Sequence, residues 1–529
     1  MKKIYYILFL LALAGCDSFL DKMPDNRTEI DNQQKIRALL TSAYPATDYM
    51  LLTEFMSDNV DDYGVNNPYT DRFADEVFAW KDITESDNED PESLWESSYK
   101  AIACSNEALQ AIDSLNRIGE LDLSAERSEA LLCRAYNYFI LTNVFCIAYN
   151  PETSTSDLGV PYIEKPETEL VPQYDRGTVA EVYTKIEKDL EEALPHVSDK
   201  YYTVPKYHFN QRAAYAFAAR FYLYYGKFEK SVEYATKCLG SQPSAMLRDW
   251  EYQSTMTQKR EPIVEHYIDA SLNCNLLLMT AYSQMGVAFG PWFALSRYSH
   301  GNYLAVTETG EAVPNLWSGS NETYWMGMKE YEATNLDKTI FWKLPYLFEY
   351  TDPVARIGYH RTVYPALAAD QVLLERAEAN VLLENYDAAL EDMNLWIKNI
   401  ASSDPKRPPR VLDIDRVNSW FNKERYHVWD TSSVKKHLHP KFVQLEEGST
   451  KENMLQCVLA LKRVETLHQG LRWFDIKRYG IQVDRRIIGA NGRPYRKTGT
   501  LVPFDKRTAI QLPKKVRDAG ITPNPRDNQ

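Results

Sequence analysis

The chain has 529 residues, of which 44% are hydrophobic and 25% charged, and this is the composition of a folded protein too long for one simple core. Two domains or one large helical array are expected, and a disordered chain is excluded. The seven cysteines form no CxxC pair, and the formal charge of -14 is spread unevenly along the chain.

At the amino end, Met1-Lys2-Lys3 precedes an apolar run over residues 4–15 and then Cys16. A positive start, an apolar middle and small residues before a cut are the order of an export signal. Twelve helical residues reach about 18 Å, well short of the ~30 Å hydrocarbon core, so the run is no spanning helix. Leu13-Ala14-Gly15-Cys16 resembles the bacterial lipobox, where the thiol is acylated and the chain is cut just before it. The expectation is a signal peptide over 1–15 and lipidation of Cys16 with palmitate-type chains. Several chains, each methylene contributing about 0.8 kcal/mol, then tether the body to a membrane. No later stretch approaches eighteen consecutive apolar residues. The other six cysteines, Cys104, Cys133, Cys146, Cys238, Cys274 and Cys457, sit mostly inside apolar helical patterns and read as buried free thiols.

Helices come next. "LWESSYKAIACSNEALQAI" sets Leu94, Ala101, Cys104, Ala108 and Ile112 on one stripe. "ERSEALLCRAYNYFILTNVFCI" does the same with Leu131, Ala135, Tyr138, Phe139, Thr142, Phe145 and Cys146, and predicts a helix buried over most of its surface. "VAEVYTKIEKDLEEAL" stops before Pro195, as the residue ahead of a proline should. In "QRAAYAFAARFYLYYGKFEKSVEYATKCLGSQP", Tyr215, Ala218, Ala219, Tyr222, Gly226, Phe228, Ser231, Ala235 and Pro243 fall at tetratricopeptide offsets, the mark of two antiparallel helices in close approach. A weaker copy at "LLERAEANVLLENYDAALEDMNLWI" aligns Tyr386, Ala389 and Leu390 with Phe228, Ser231 and Val232. The two copies are 158 residues apart, so they are expected to meet in space rather than in sequence.

Between about 240 and 365 the helical rhythm fails, and five of the eleven tryptophans lie there. Long irregular segments on a rigid scaffold are where binding resides. Flat aromatics beside short polar groups suit sugar rings, which have apolar faces edged by hydroxyls. One early stretch offers Asp61, Tyr63, Asn66, Asn67, Tyr69, Arg72 and Trp80; the later one offers Trp292, Tyr298, Tyr303, Trp317, Asn321, Tyr324 and Trp325. Among Tyr69, Trp80, Trp317 and Trp325 at least one stacking platform is expected. The acid-rich "SDNVDDYGVNN" lacks the EF-hand order, and His437, His439 and Cys457 lack zinc-site spacing, so neither a metal nor a cofactor is expected.

Residues 460–517 hold fifteen Lys and Arg against four acids. These charges are interleaved with apolar residues, so they read as a tail that packs on its own acidic body rather than as a nucleic-acid surface. Inside it, "RVETLHQGLRWFDIKRYGI" predicts a helix with Arg472 and Asp475 one turn apart and its aromatic faces turned to the core. The order of Glu465, Gly470, Arg472, Trp473, Phe474, Asp475, Arg478 and Gly480 resembles the C-terminal signature of SusD/RagB-family lipoproteins, Glu-Leu-x-x-Glu-Gly-x-Arg-Trp-Phe-Asp-Leu-x-Arg-Trp-Gly. Gln469 stands in place of the second glutamate and Tyr479 in place of the second tryptophan. "CDSFLDKMP", Trp95-x-x-x-Tyr99-x-x-Ile102 before Asn106, "GVPY", "AEANVLLENYDAAL" and "DKRTAIQLP" agree in chain order, so the resemblance spans nearly the whole chain.

That resemblance implies a mostly α-helical protein. Tetratricopeptide-like helix pairs over about 94–240 and 366–400 form a right-handed scaffold, a loop-rich insertion lies over about 240–365 and a basic segment over about 460–529, all in one SusD-like domain from 16 to 529. It also implies a lipid-anchored protein on the extracellular side of the outer membrane. There it captures glycan, or peptide as in RagB, for a SusC-like TonB-dependent transporter without altering covalent bonds. A surface glycosidase needs two carboxylates a defined distance apart, and among 74 acids some pair always qualifies, so the sequence gives it no support; Gly-x-Ser-x-Gly, His-Glu-x-x-His and Walker motifs are also absent. A tetratricopeptide-like scaffold for protein partners is the third reading.

Overall fold

Small residues decide the architecture. In the computed structural model, which describes residues 30–85, 89–116, 121–168, 174–257, 259–310, 312–317, 329–333, 336–401 and 408–526, Gln211–Tyr225 and Phe228–Leu239 form a helix pair. Asn210 caps the first helix by accepting the Ala213 N–H at 3.0 Å, and Gly226, at φ 77°, ends it in the left-handed conformation. Five alanines in the first helix are fully buried, and Ser231 of the second donates to the Ala219 carbonyl at 2.9 Å. The second pair, Ala369–Leu382 and Tyr386–Ile400, packs against the first, so the two distant copies do stack. Arg220 joins them, donating to Glu375 at 2.6 Å and to Gln371 at 2.7 Å.

Ahead of these lie Pro91–Asn116 and Ser124–Phe145, the latter buried from Ser128 onward. Val179–Ala193 packs on that helix behind a Thr178/Glu181 capping box, and Arg134 grips Asp189 with two bonds of 2.8 and 2.7 Å. Thr450–Glu465 covers Ala369–Leu382 from the other side, and Arg472–Tyr479 follows it.

The region that sequence periodicity left irregular holds most of the strands. Nine are described: β1 (Asp61–Asp62), β2 (Asn275–Tyr282), β3 (Tyr298–Ser299), β4 (Lys329–Ala333), β5 (Leu336–Ile340), β6 (Leu347–Asp352), β7 (Ile357–Ala368), β8 (Val483–Ile488) and β9 (Pro494–Leu501). They form sheets ordered β3-β1-β8-β9, β2-β7-β6 and β4-β5. β2 escaped notice because "NLLLM" is buried without alternation.

Six cysteines are free thiols, five of them buried. No helix among the described residues is long and apolar enough to cross a membrane. The 1–15 segment, Cys16, Asn321, Tyr324 and Trp325 lie outside the described residues.

Candidate functional site

The early stretch turns inward. Asp61 pairs with Arg486 at 2.8 Å, and Asn67 exchanges two hydrogen bonds with the backbone of Asp337, at 3.0 and 2.9 Å. Tyr63 is buried against Gly301. Trp80, expected at the ligand, is 4% exposed: its indole N–H donates to the Met56 carbonyl, and the Arg485 guanidinium lies 4.2 Å from its ring centre. Trp317 is 1% exposed, so neither tryptophan presents a ring face. Arg72 is exposed but tied to Glu76 at 3.1 Å. Tyr298 is stacked on Phe78, and Tyr303 lies under Arg486 with its hydroxyl 3.3 Å from the Ser432 N–H.

Tyr69 and Trp292 remain at the surface. Tyr69 is exposed and its ring lies 5.2 Å from that of Phe293, the chain neighbour of Trp292. From Trp292 a file of rings runs onto the β6–β7 hairpin: Tyr346 at 5.1 Å, His360 at 5.2 Å, Phe348 at 5.2 Å and Tyr350 at 4.9 Å, each measured to the ring before it. The first four rings are half-buried and Tyr350 is exposed. Tyr346, Phe348 and Tyr350 share a face because they are two residues apart on an extended chain, and His360 joins them because it pairs with Phe348. The alternation "YLFEY" carried this signal, but composition alone pointed to the tryptophans.

Local chemistry fixes the file. Arg260 covers one face of Trp292 at 4.5 Å. Lys338 of β5 sends its Nζ into the loop below, donating to the carbonyls of Ala288 at 2.7 Å, Gly290 at 3.3 Å and Trp292 at 2.8 Å. Burial pushes this ammonium down to about 7. A β-carbon on Gly290 would lie 2.3 Å from the Trp292 ring, so only glycine lets that ring lie over the turn. Gly358 stands opposite Tyr350, and a β-carbon there would meet the Glu349 carbonyl at 2.0 Å.

The C-terminal signature builds a closed network instead. Glu308 accepts from Lys436 at 2.6 Å, Arg463 at 2.7 Å and Arg486 at 3.2 Å. Arg472 reaches Asp58 at 2.8 Å, while Asp475, its helical neighbour, takes Lys462 at 2.9 Å. The void beside Glu308 and Arg463 is about 10 Å³, room for one water at most. These charged groups are buried and paired with one another.

Comparison with known proteins agrees with this architecture. Residues 18–223 match the family model SusD-like_3, described as starch-binding associating with outer membrane. "SusD-like protein P2" of Formosa agariphila is 22% identical over 99% of this chain and 98% of its own length. A SusD superfamily protein from Bacteroides thetaiotaomicron superposes with TM-score 0.60 at 19% identity, over 94% of this chain and all of its own. A putative sugar binding protein from Bacteroides vulgatus gives TM-score 0.62 at 17% identity, over 94% and 99%. A laminarin binding SusD-like protein gives 0.53 at 15% identity, over 94% and 99%. The helical scaffold has the same fold as these solved structures. Residues 18–223 of the chain thus resemble the SusD-like family model, and its whole length resembles a SusD-like relative.

Proposed function

We propose that this chain is a glycan-binding protein of the outer membrane, and that the ring file from Trp292 to Tyr350 is its sugar platform. The file carries the reading, because linked rings at a surface, stiffened from behind by Arg260 and Lys338, suit the apolar faces of successive sugars. Support comes from the starch-binding description of the family model and from the laminarin binding neighbour. In this reading Cys16 carries the lipid anchor, and captured glycan passes unaltered to a SusC-like TonB-dependent transporter.

Affinity electrophoresis of the full chain in mild detergent, in gels containing laminarin or starch, tests it. Retardation is expected in at least one gel and should be lost in Trp292→Ala and Tyr350→Ala. Retardation unchanged in both variants would sink the assignment of the platform.

A further inference from the structure

Arg260, at the head of the ring file, is a charge without an acid. It opens the helix Arg260–Tyr267, whose Ile263, Val264 and Tyr267 are buried and fix it to the body. The residue is 9% exposed, and its guanidinium lies 4.5 Å from the Trp292 ring centre. Among the described residues it makes one long hydrogen bond, from Nη2 to the Leu344 carbonyl at 3.4 Å. Nε and Nη1 have no partner there, yet neither is sealed from water, so the fork opens to solvent beside the ring.

The cations around it are used differently. Arg72 is paired with Glu76 at 3.1 Å, Arg297 with Asp62 at 2.9 Å and Arg361 with Glu349. Lys338 gives its ammonium to three carbonyls. Residues 283–296, which carry Trp292, contain no acid. On the hairpin, Glu349 is held by Arg361, and Asp352 accepts the Val354 and Ala355 N–H groups of its own turn at 2.9 Å each. The acid that acts on Arg260 is Glu261, the exposed next residue, and the two form no ion pair. A guanidinium drawn out of water without a counter-charge is unfavourable, because its lost hydration is not replaced. Arginine cannot shed its proton to relieve this, but an arriving oxyanion can.

We infer that Arg260 makes the platform selective for acidic glycans, binding the carboxylate of a uronic acid or the sulfate of a sulfated sugar at the Trp292 end of the file. The inference rests on the glycan platform proposed above and names the sugar class it takes. The guanidinium plane, held by the indole, offers parallel N–H groups, and either oxyanion accepts two of them.

Biolayer interferometry of the full chain in mild detergent tests this, on sensors carrying low-ester pectin, high-ester pectin, dextran sulfate, dextran or laminarin. The two pectins share a backbone and differ in free carboxylate; dextran sulfate and dextran differ in sulfate. Binding about tenfold tighter or more is expected for the charged member of one pair, the size of one charge-assisted bidentate contact, and the pair that shows it identifies the oxyanion. The chain itself carries a formal charge of -14, so unspecific attraction does not produce this preference. Arg260→Gln should bring the two members of that pair to equal affinity. Equal affinity within both pairs of the wild type, or binding to laminarin alone, overturns the inference and leaves the platform standing. A preference that survives in Arg260→Gln also overturns it, and no binding to any of the five sinks both readings. The wild-type pairs decide alone if the variant does not fold.

Discussion

The C-terminal segment and the β6–β7 region are both dense in aromatic and basic side chains, yet they use them in opposite ways. In the first, Arg463, Arg472, Arg478, Arg485 and Arg486 are all buried, and each reaches a carboxylate or a backbone carbonyl. In the second, Tyr69, Phe293 and Tyr350 remain exposed and Arg260 backs a ring instead of an acid. The motif that resembles the SusD/RagB signature therefore packs into the scaffold, while the exposed ring file is built from residues outside it. Charge is internal here: Lys343 donates to the carbonyls of Glu465 and Leu467, and Lys477 to those of Asn143 and Cys146, so buried ammonium groups close the ends of two helices.

Removing one acid from the closed network is the most severe way to test this contrast. Glu308→Ala leaves Lys436, Arg463 and Arg486 buried without their shared partner and should cost about 3–5 kcal/mol in chemical denaturation. Tyr350→Ala, at an exposed position on the hairpin, should cost under about 0.5 kcal/mol. Equal losses would mean that the two regions are not energetically distinct.

Acid titration sharpens the same point. Burial alone would raise Glu378, but Arg478 at 2.9 Å, Lys462 and the Tyr479 hydroxyl at 2.7 Å together pull it down to about 2, from an ordinary 4.5. A depressed carboxylate contributes stability that is present above 4.5 and is lost as the pH falls towards 2. Thermal unfolding should fall off across that window by at most about 3 kcal/mol, with a flatter profile in Glu378→Gln. A wild-type curve as flat as that of the variant would argue against the ion pairs.

The scaffold was legible in the sequence because its signals are local. Alanines at helical spacing, Gly226 at a helix end and a proline stop each act within a few residues, and the helices Gln211–Tyr225, Phe228–Leu239 and Val179–Ala193 stand where those signals put them. The candidate site was legible only in part. Trp80 and Trp317 were drawn in by their size, but an indole inside a core and one at a rim look alike in sequence, and only the fold makes the difference. Tyr346 and Phe348 carried a period-two signal, whereas His360 joins them through a strand pairing that no local rule shows.

Lys338 links the two regions, since a buried cation of the scaffold type holds the loop of the platform. Lys338→Met keeps the volume and leaves three carbonyls without their donor, so a loss of about 2 kcal/mol is expected. Retardation by glycan should fall along with it, because the Trp292 carbonyl is one of the three. Full retardation in a destabilised variant would show that the platform is set from elsewhere.

A titration of opposite sign concerns Glu465, the first glutamate of the signature. Burial, then the nearby Asp370 carboxylate, push it up to about 7, while the Trp396 indole N–H donates to it at 2.9 Å. A raised acid keeps its proton in the folded chain between 4.5 and 7, so its contribution is whole below 4.5 and is lost as the pH rises through 7. Glu465→Gln keeps an oxygen for Trp396 and cannot ionise. Denaturation between pH 5 and 8 should therefore show wild-type stability declining relative to the variant, at up to the ~1.4 kcal/mol per pH unit that one whole proton gives, and levelling off above 7. Parallel profiles would mean that Glu465 is already ionised in the core, with its charge balanced by Lys343 and Arg248, the cations that oppose its rise.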